Sequence, residues 1–317
     1  MQEKWSNSCT MPTPGDSEPI APASQPVPEV SIVLPVYNEG ARLCQTLTAI
    51  RETTEVSHEI IVVNDGSTDS CCDSLRAVPP PYENLVLIEL PRRGGVAHAR
   101  NLGAAQAKAP VLAAMDAHCV PRPGWLEMLL EELHKPGVGI VAPQISSLES
   151  PATTTFGLTI RDRELGVDWL HRRASKPYPV PIVGCACMVM TREFFEAVGR
   201  FDAMRSYGME DVELCIRAWL LGYSVIMVPD ADVAHCFNRA PFSVGWQDYL
   251  YNRIRTAVLH FDGEPLQRIL AALQPRPAFS DAVSSLLVSD VWARYSAVRS
   301  LRKYDGAWFC RKFEIAL

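Results

Sequence analysis

Short runs of almost unbroken apolar residues dominate the first half of the chain, each closed by a polar or acidic residue and followed by a stretch of helical spacing. Val30-Ser-Ile-Val-Leu-Pro-Val36 stops at Tyr37-Asn-Glu-Gly. Residues 59–63 stop at Asn64-Asp65 and the turn Gly66-Ser-Thr-Asp69. Residues 85–90 form a third run, and Val111–Met115 a fourth that stops at Asp116. Between them, Arg42–Thr53 puts Leu43, Leu47 and Ile50 on one helical face, 71–77 reads as a short helix and 95–108 as a longer one. Trp125–Leu133 then reads as a helix and 138–145 as a strand. Strands that are apolar on both faces and alternate with helices predict a parallel sheet covered on both sides. Such sheets bind ligands beyond the carboxyl ends of their strands. Tyr37, Asn38, Glu39, Asp65, Asp116 and His118 fall at those ends.

The second half is less regular. Residues 153–169 open with a strand, 180–190 form an apolar stretch with Pro181 and Gly184 suited to a buried strand, and Glu210–Leu221 is a helix with Val212, Cys215, Ile216 and Trp219 inward. Residues 223–228 and 231–237 read as extended, and 241–317 as helices broken at Pro275 and Pro277. The predicted organisation is a disordered proline-rich tail over 1–28, a catalytic domain over 29–240, and a C-terminal helical lid or extension over 241–317. The aromatic and basic cluster 304–313 reads either as a lid or acceptor-side element or as a terminal helix packed on the core.

Of the 317 residues 48% are hydrophobic, enough for a sizeable core, and the net charge of −6 disfavours binding to nucleic acid or anionic membranes through bulk charge. No apolar run is long enough to span a bilayer, and the N-terminus lacks a signal-peptide pattern. The ten cysteines contain no CxxC pair, so they read as reduced and mostly buried. With the missing signal, this gives an expected cytoplasmic location for a soluble protein.

In Asp116-Ala-His118, residues i and i+2 of an extended segment face the same side, so a carboxylate and an imidazole can grip one divalent cation. His235 is a candidate third ligand, or a hydrogen-bonded core histidine. Glu210-Asp211 opens a helix, where carboxylates are comfortable in any case, and one of them can face the reaction centre as a general base. Asp65 can accept from a nucleobase or ribose, with Pro35 and Tyr37 as an apolar wall. A turn-and-cap role competes for residues 64–67. Arg92, Arg93 and Arg100 flank Gly94-Gly95 and can meet phosphates.

Together these motifs resemble those of the family 2 glycosyltransferases with the GT-A fold. Ser31-Ile-Val-Leu-Pro-Val-Tyr-Asn-Glu39 and Ile61-Val-Val-Asn-Asp-Gly-Ser-Thr-Asp69 are similar to the opening motifs, and Gly95-Val-Ala-His-Ala-Arg-Asn-Leu-Gly103 to the helix that follows. Asp116-Ala-His118 resembles the metal motif, usually DxD. The segment from Gly184 to Asp202 resembles the acceptor-side segment ending in VGxFD, and Glu210-Asp211 the ED pair. The DxH form, with Ala-His235-Cys-Phe-Asn-Arg239 downstream, is similar to the polypeptide N-acetylgalactosaminyltransferases, which implies Asp116, His118 and His235 as ligands of Mn²⁺ (or Mg²⁺). Those animal enzymes carry Glu-Asn at the ED pair and a lectin domain for which this chain is too short, so it reads as a bacterial-type relative.

The resemblance implies an α/β GT-A fold: a Rossmann-like, mostly parallel central sheet flanked by helices, with a C-terminal helical extension. It implies a hexosyltransferase that moves a sugar from a UDP-sugar to a peptide, natural-product, small-molecule or saccharide acceptor. The predicted donor site is Pro35, Tyr37, Glu39, Asp65, Arg93, Gly95, Arg100, Asp116, Ala117 and Gly184, with Glu210 and Asp211 catalytic. An Asp at 211 implies inversion with Asp211 as base. The alternatives are a retaining N-acetylgalactosaminyltransferase-like enzyme and a non-enzymatic sugar-nucleotide-binding scaffold. A nucleotidyltransferase lacks its glycine- and lysine-rich loop here, and a processive synthase lacks both QxxRW and membrane helices.

Overall fold

The computed structural model describes residues 27–76, 84–150, 152–237 and 243–317. Residues 1–26 of the expected proline-rich tail, and the expected 240/241 boundary, lie outside the described residues. The strands are β1 (Val30–Val36), β2 (His58–Asn64), β3 (Leu85–Glu89), β4 (Val111–Met115), β5 (Cys119–Pro121), β6 (Val138–Ser147), β7 (Thr154–Thr155), β8 (Leu158–Ile160), β9 (Val167–Trp169), β10 (Tyr178–Pro179), β11 (Cys187–Thr191) and β12 (Ser224–His235). The helices are α1 (Arg42–Thr53), α2 (Val96–Gln106), α3 (Trp125–Leu133), α4 (Arg192–Ala197), α5 (Glu210–Leu221), α6 (Trp246–His260), α7 (Gly263–Leu273), α8 (Phe279–Leu287), α9 (Val291–Leu301) and α10 (Gly306–Lys312). A single 3₁₀ turn, Asp73–Arg76, stands where the short helix is predicted.

One sheet runs β10-β12-β6-β11-β4-β1-β2-β3. The pairs β4–β1, β1–β2, β2–β3 and β6–β12 are parallel, whereas β11 is antiparallel to both β4 and β6. The central strands are apolar on both faces because one buried layer contains Ile61, Val63, Leu112 and Met188 and the other contains Ile32, Leu34, Val62 and Trp125. Gly103 of α2 packs where a Cβ would sit 2.4 Å from Val33 Cγ1, so the helix lies closer to the sheet than any side chain there allows.

The stretch 180–190 is not one strand. Only Cys187–Thr191 joins the sheet, because Pro181 has no N–H for a ladder and Gly184 marks a turn away from it. Residues 182–186 still bond outward: the Ile182 carbonyl accepts from Leu158 N–H (2.8 Å), and that of Ala186 from Asp116 N–H (3.1 Å). This irregular floor is what leaves a cleft open at the strand ends.

The C-terminal helices are keyed to the sheet domain by buried polar contacts. Arg255 of α6, fully buried, donates through Nε (2.5 Å) and Nη2 (3.0 Å) to the two oxygens of Asp202. His260 Nε2 meets Glu213 Oε1 at 2.8 Å, and Arg217 donates to both oxygens of the same Glu213. In the 304–313 cluster, Tyr304 stacks on Trp308 at 4.0 Å, and Trp308 and Phe313 pack against Trp219 of α5. That cluster is therefore core packing, and it does not line the cleft. The nine described cysteines are free and seven are buried. No helix among the described residues is long and apolar enough to cross a membrane.

Removing one partner of a buried ion pair strands the other. Arg255→Met leaves Asp202 with Arg294 at 3.2 Å as its remaining cation and is expected to lower stability by about 3–5 kcal/mol. A urea titration of variant against parent measures this. An unchanged midpoint would mean that the Arg255–Asp202 pair adds nothing to the other contacts that hold α6.

Candidate active site

The carboxyl ends of β1, β2 and β4, the floor 184–186, the start of α5 and the end of β12 enclose a cleft of about 660 Å³. Of the predicted site residues, Pro35, Tyr37, Glu39, Asp65, Arg93, Arg100, Asp116, His118, Gly184, Glu210, Asp211 and His235 all line it. Gly95 and Ala117 do not. Ala117 is fully buried in the core: residues 117 and 118 form a turn between β4 and β5 and not the expected extended segment, and that turn brings Asp116 and His118 to the cleft while Ala117 packs inward. Gly95 sits behind the cleft at the start of α2, with φ +96° and an added Cβ only 2.9 Å from the Ser206 carbonyl oxygen, so it serves a backbone turn.

The metal-type residues converge. One ligand atom from each of Asp116, His118 and His235 lies within 4.8 Å of the other two. β5 pairs antiparallel with β12 at Cys119–His235, which carries His235 to the loop that holds His118, and their rings lie 4.8 Å apart. His118 Nδ1 meets Glu39 Oε2 at 3.1 Å, which leaves Nε2 as the nitrogen with a free lone pair. His235 lies 3.4 Å from Asp116 Oδ2 through Nε2, outside hydrogen-bond alignment, and both of its ring nitrogens are buried without a partner. Buried imidazole nitrogens with no hydrogen bond, beside a carboxylate and a second imidazole, form a donor set that fits a borderline divalent ion such as Mn²⁺. Glu39, predicted as a donor contact, lines the cleft and also holds the His118 ring.

Charge in the cleft is organised around Arg100. Its side chain is 2% exposed, and it donates through Nη2 to Asp116 Oδ1 (2.6 Å) and through Nη1 to Glu210 Oε1 (2.9 Å). The predicted phosphate contact at Arg100 is therefore replaced by two carboxylates of its own protein. Burial works against the Asp116 carboxylate, but His235, Arg100 and His118 more than offset this and hold its pKa well below the usual carboxylate range. Burial also opposes the charge on His118, but Glu39 and Asp116 outweigh it and raise that pKa.

Glu210 and Asp211 behave differently. Burial, and then the adjacent Asp211, push Glu210 up, and its Oε2 is buried without a partner. Burial likewise raises Asp211, whose oxygens accept from the Val212 amide (2.8 Å) and the Cys185 amide (3.2 Å). Met209, with φ +75°, turns the chain so that both carboxylates enter at the first turn of α5.

Asp65 is 3% exposed and accepts from the Gly94 amide (2.6 Å) and the Gly95 amide (2.9 Å), so part of its hydrogen-bonding capacity belongs to the turn into α2. Asn64 Oδ1 accepts from Ser67 N–H, which is the turn role weighed for this run. Arg93 lies over the Tyr37 ring at 4.6 Å. Sequence reasoning did not single out Trp169, Tyr207, Phe237 or Arg253, which also line the cleft. Phe237 falls inside the quoted motif 234–239 without a role of its own there; Trp169, at the end of β9, Tyr207 and Arg253 belong to no motif, and only their aromatic or cationic character set them apart.

The sequence model of glycosyl transferase family 2 matches residues 31–199. Among the similar curated proteins, polypeptide N-acetylgalactosaminyltransferase 6 of Bos taurus is 28% identical over 264 residues, covering 75% of this chain and 42% of the relative. The human enzyme 15 of the same group is 31% identical and covers 73% of this chain and 39% of the relative. The chain thus spans less than half the length of these relatives. Among solved structures, GalNAc-T7 crystallised with UDP, GalNAc and Mn²⁺ superposes with a TM-score of 0.74 at 19% identity, covering 92% of this chain and 57% of that one. A Pyrobaculum calidifontis mannosyltransferase in complex with GDP-Man and Mn²⁺ gives 0.52 at 22% identity, covering 95% and 87%. The fold is GT-A: a mixed α/β sheet flanked by helices.

A ligand set of one carboxylate and two imidazoles must shed protons to bind a cation. Because the pKa of His118 is raised, Mn²⁺ affinity should begin to fall on acidification at a higher pH than for a free histidine. Calorimetric titration of Mn²⁺ across pH tests this. His118→Ala and His235→Ala should abolish saturable binding, and Glu39→Gln should weaken it about 10–100-fold.

Proposed function

The chain belongs to glycosyl transferase family 2, and on that premise we propose that it transfers a sugar from a UDP-sugar to a nucleophilic acceptor in the cleft. The observation that carries the reading is the convergence of Asp116, His118 and His235 within one cleft that also holds Glu210 and Asp211. The GalNAc-T7 structure, solved with UDP, supports the UDP-linked donor, and the named transferase activity of the relatives supports an enzyme over a non-catalytic scaffold.

Asp116, His118 and His235 would hold a divalent ion such as Mn²⁺, which when bound offsets negative charge on a diphosphate leaving group. Glu39 keeps His118 in the tautomer with a lone pair on Nε2, and Arg100 keeps Asp116 ionised and in place. Pro35 and Tyr37 offer an apolar wall to a base, Arg93 a cation to phosphate, and Asp65 its remaining lone pairs to a ribose or base edge.

In the inverting form of this reaction, the acceptor oxygen attacks the anomeric carbon and the bond from that carbon to the diphosphate breaks. The acceptor proton passes to Asp211, and UDP leaves with the bonding electrons. Asp211 suits this task because it is half-buried beside Gly184, with a carboxyl whose pKa burial has raised. Glu210, held by Arg100, orients the sugar or the acceptor. Retention is the second reading. Each Asp211 oxygen already accepts a backbone amide, which favours a positioning role over proton abstraction.

The test is nucleotide release from a panel of UDP- and GDP-sugars with Mn²⁺ or EDTA, followed by NMR of the product's anomeric proton. Release from one UDP-sugar, lost in EDTA and in His235→Ala, is the expected result. Release from none, with no UDP binding, would return the chain to the scaffold reading. Asp211→Asn should lower kcat by about 100-fold or more if it is the base. Loss of Asp211 without a comparable fall, or a retained anomer, would select the second reading. Since the base must be deprotonated and the Glu210–Asp211 pair is raised, kcat/KM should rise with pH through the pair's apparent pKa and fall on acidification.

A further inference from the structure

Arg253 is a cation at the cleft that no anion of the described residues meets. It lies on α6 and lines the cleft with Ser243 and Val244. Its guanidinium carbon stands 3.5 Å from the centroid of the Tyr249 ring, its Nε is buried without a partner, and it forms no ion pair among the described residues. Burial works against its charge, and the acids that favour that charge, Asp162 and Glu164, are already engaged. Arg161 Nε donates to Asp162 Oδ2 at 3.0 Å, while Asp162 Oδ1 accepts from the amides of Glu164 (2.9 Å) and Gly166 (3.0 Å). Arg276 holds Glu164 through Nε at 3.1 Å and Nη2 at 2.5 Å. Both neighbouring acids thus have other partners, and the pairing leaves Arg253 over.

A half-buried guanidinium with no anion costs free energy, and the planar fork of donors on Arg matches a carboxylate in bidentate fashion. The donor residues proposed above come from β1, β2 and the turn into α2. Arg253 enters from α6, beside the β8–β9 hairpin, whose Leu158, Leu165, Val167 and Trp169 make that side of the cleft apolar. Trp169 packs edge-on against Phe237 at 5.4 Å, and its ring closes on Gly184 next to Asp211. A molecule seated there meets apolar and aromatic surface, the proposed base and one cation in reach of a charged end.

We infer that Arg253 reads a carboxylate on the acceptor, so that the acceptor class is a hydroxyl-bearing molecule with an apolar body and an anionic group. This rests on the glycosyltransferase reading above and adds a specificity residue to it.

Matched probes test it: 4-hydroxybenzoate against 4-hydroxybenzamide, and an N-acetylated serine dipeptide as its free acid against its amide. Each is titrated calorimetrically into the full chain with and without UDP and Mn²⁺. The acid of each pair should bind at least tenfold more tightly than the amide. Arg253→Met, which keeps the aliphatic stem over Tyr249, should erase that preference, and Arg253→Lys should restore part of it. Equal binding of acid and amide by the parent chain would overturn the inference. So would an Arg253→Met variant that loses UDP affinity as strongly as acid affinity, because Arg253 would then serve the donor phosphates. If UDP with Mn²⁺ fails to bind at all, the glycosyltransferase reading fails. The acid-to-amide comparison without nucleotide still decides what Arg253 recognises.

Discussion

Three carboxylates, Asp116, Glu210 and Asp211, crowd the floor of one cleft, and Arg100 is the buried cation that lets them do so. Unpaired carboxylates withdrawn from water cost several kcal/mol each, and the usual escape is protonation. Arg100 prevents that at Asp116 by direct contact and moderates it at Glu210. Its position is set by the packing of α2, whose Gly103 allows close approach to the sheet and whose turn at Gly95 aims the first residues of the helix toward the cleft. A single guanidinium thus makes a structural requirement, the burial of α2, coincide with the geometry of the site.

The same balance explains why the candidate metal ligands stand where they do. With Arg100 on one oxygen of Asp116, the other faces His235 and stays ionised, as a metal-binding carboxylate must. Glu39 performs the corresponding task for His118 by fixing its tautomer. The cleft still carries more negative than positive side chains before any ligand enters. A diphosphate would be repelled by such a floor, and a divalent cation held by Asp116, His118 and His235 is the charge that reconciles the two.

How much of this the sequence disclosed depends on the range of the interaction. β1, α1, β4, α3 and α5 were legible because apolar periodicity and the turn residues that end each run are local signals, and the strand ends located the cleft. Asp116 and His118 were legible as a pair from their spacing, but the choice of His235 over a core-histidine role came from the motif resemblance, since His235 lies 117 positions beyond His118 and reaches it through the pairing of β5 with β12. Roles that depend on which side chain fills a partner's second valence were not legible. Arg100 read as a phosphate contact because nothing at 100 reveals that Asp116 and Glu210 converge on it. Ala117 read as a site residue because it sits between two of them, and nothing local shows that the turn between β4 and β5 packs it into the core. The irregular path of 180–186 was hidden for another reason. An apolar run scores the same whether its backbone groups bond within a ladder or to scattered loops, and Pro181 was the one local warning.

The start of α5 is where catalytic geometry and the C-terminal helices meet. Gly208 and Met209 both take positive φ to turn the chain into the helix, a strained path for Met209 that its surroundings must enforce. Asn252 supplies that enforcement: its amide donates to the carbonyls of Arg205 and Gly208, and its carbonyl oxygen accepts from Arg205 N–H. The neighbouring Arg253, about 100° further around the same helix, reaches the cleft. Arg255 and His260 fasten that helix through Asp202 and Glu213. The helices after residue 243 therefore do more than cover the sheet domain. Through α6 they set the approach of Glu210 and Asp211 and furnish part of the cleft wall, so loosening α6 would disturb the site as well as the stability of the fold.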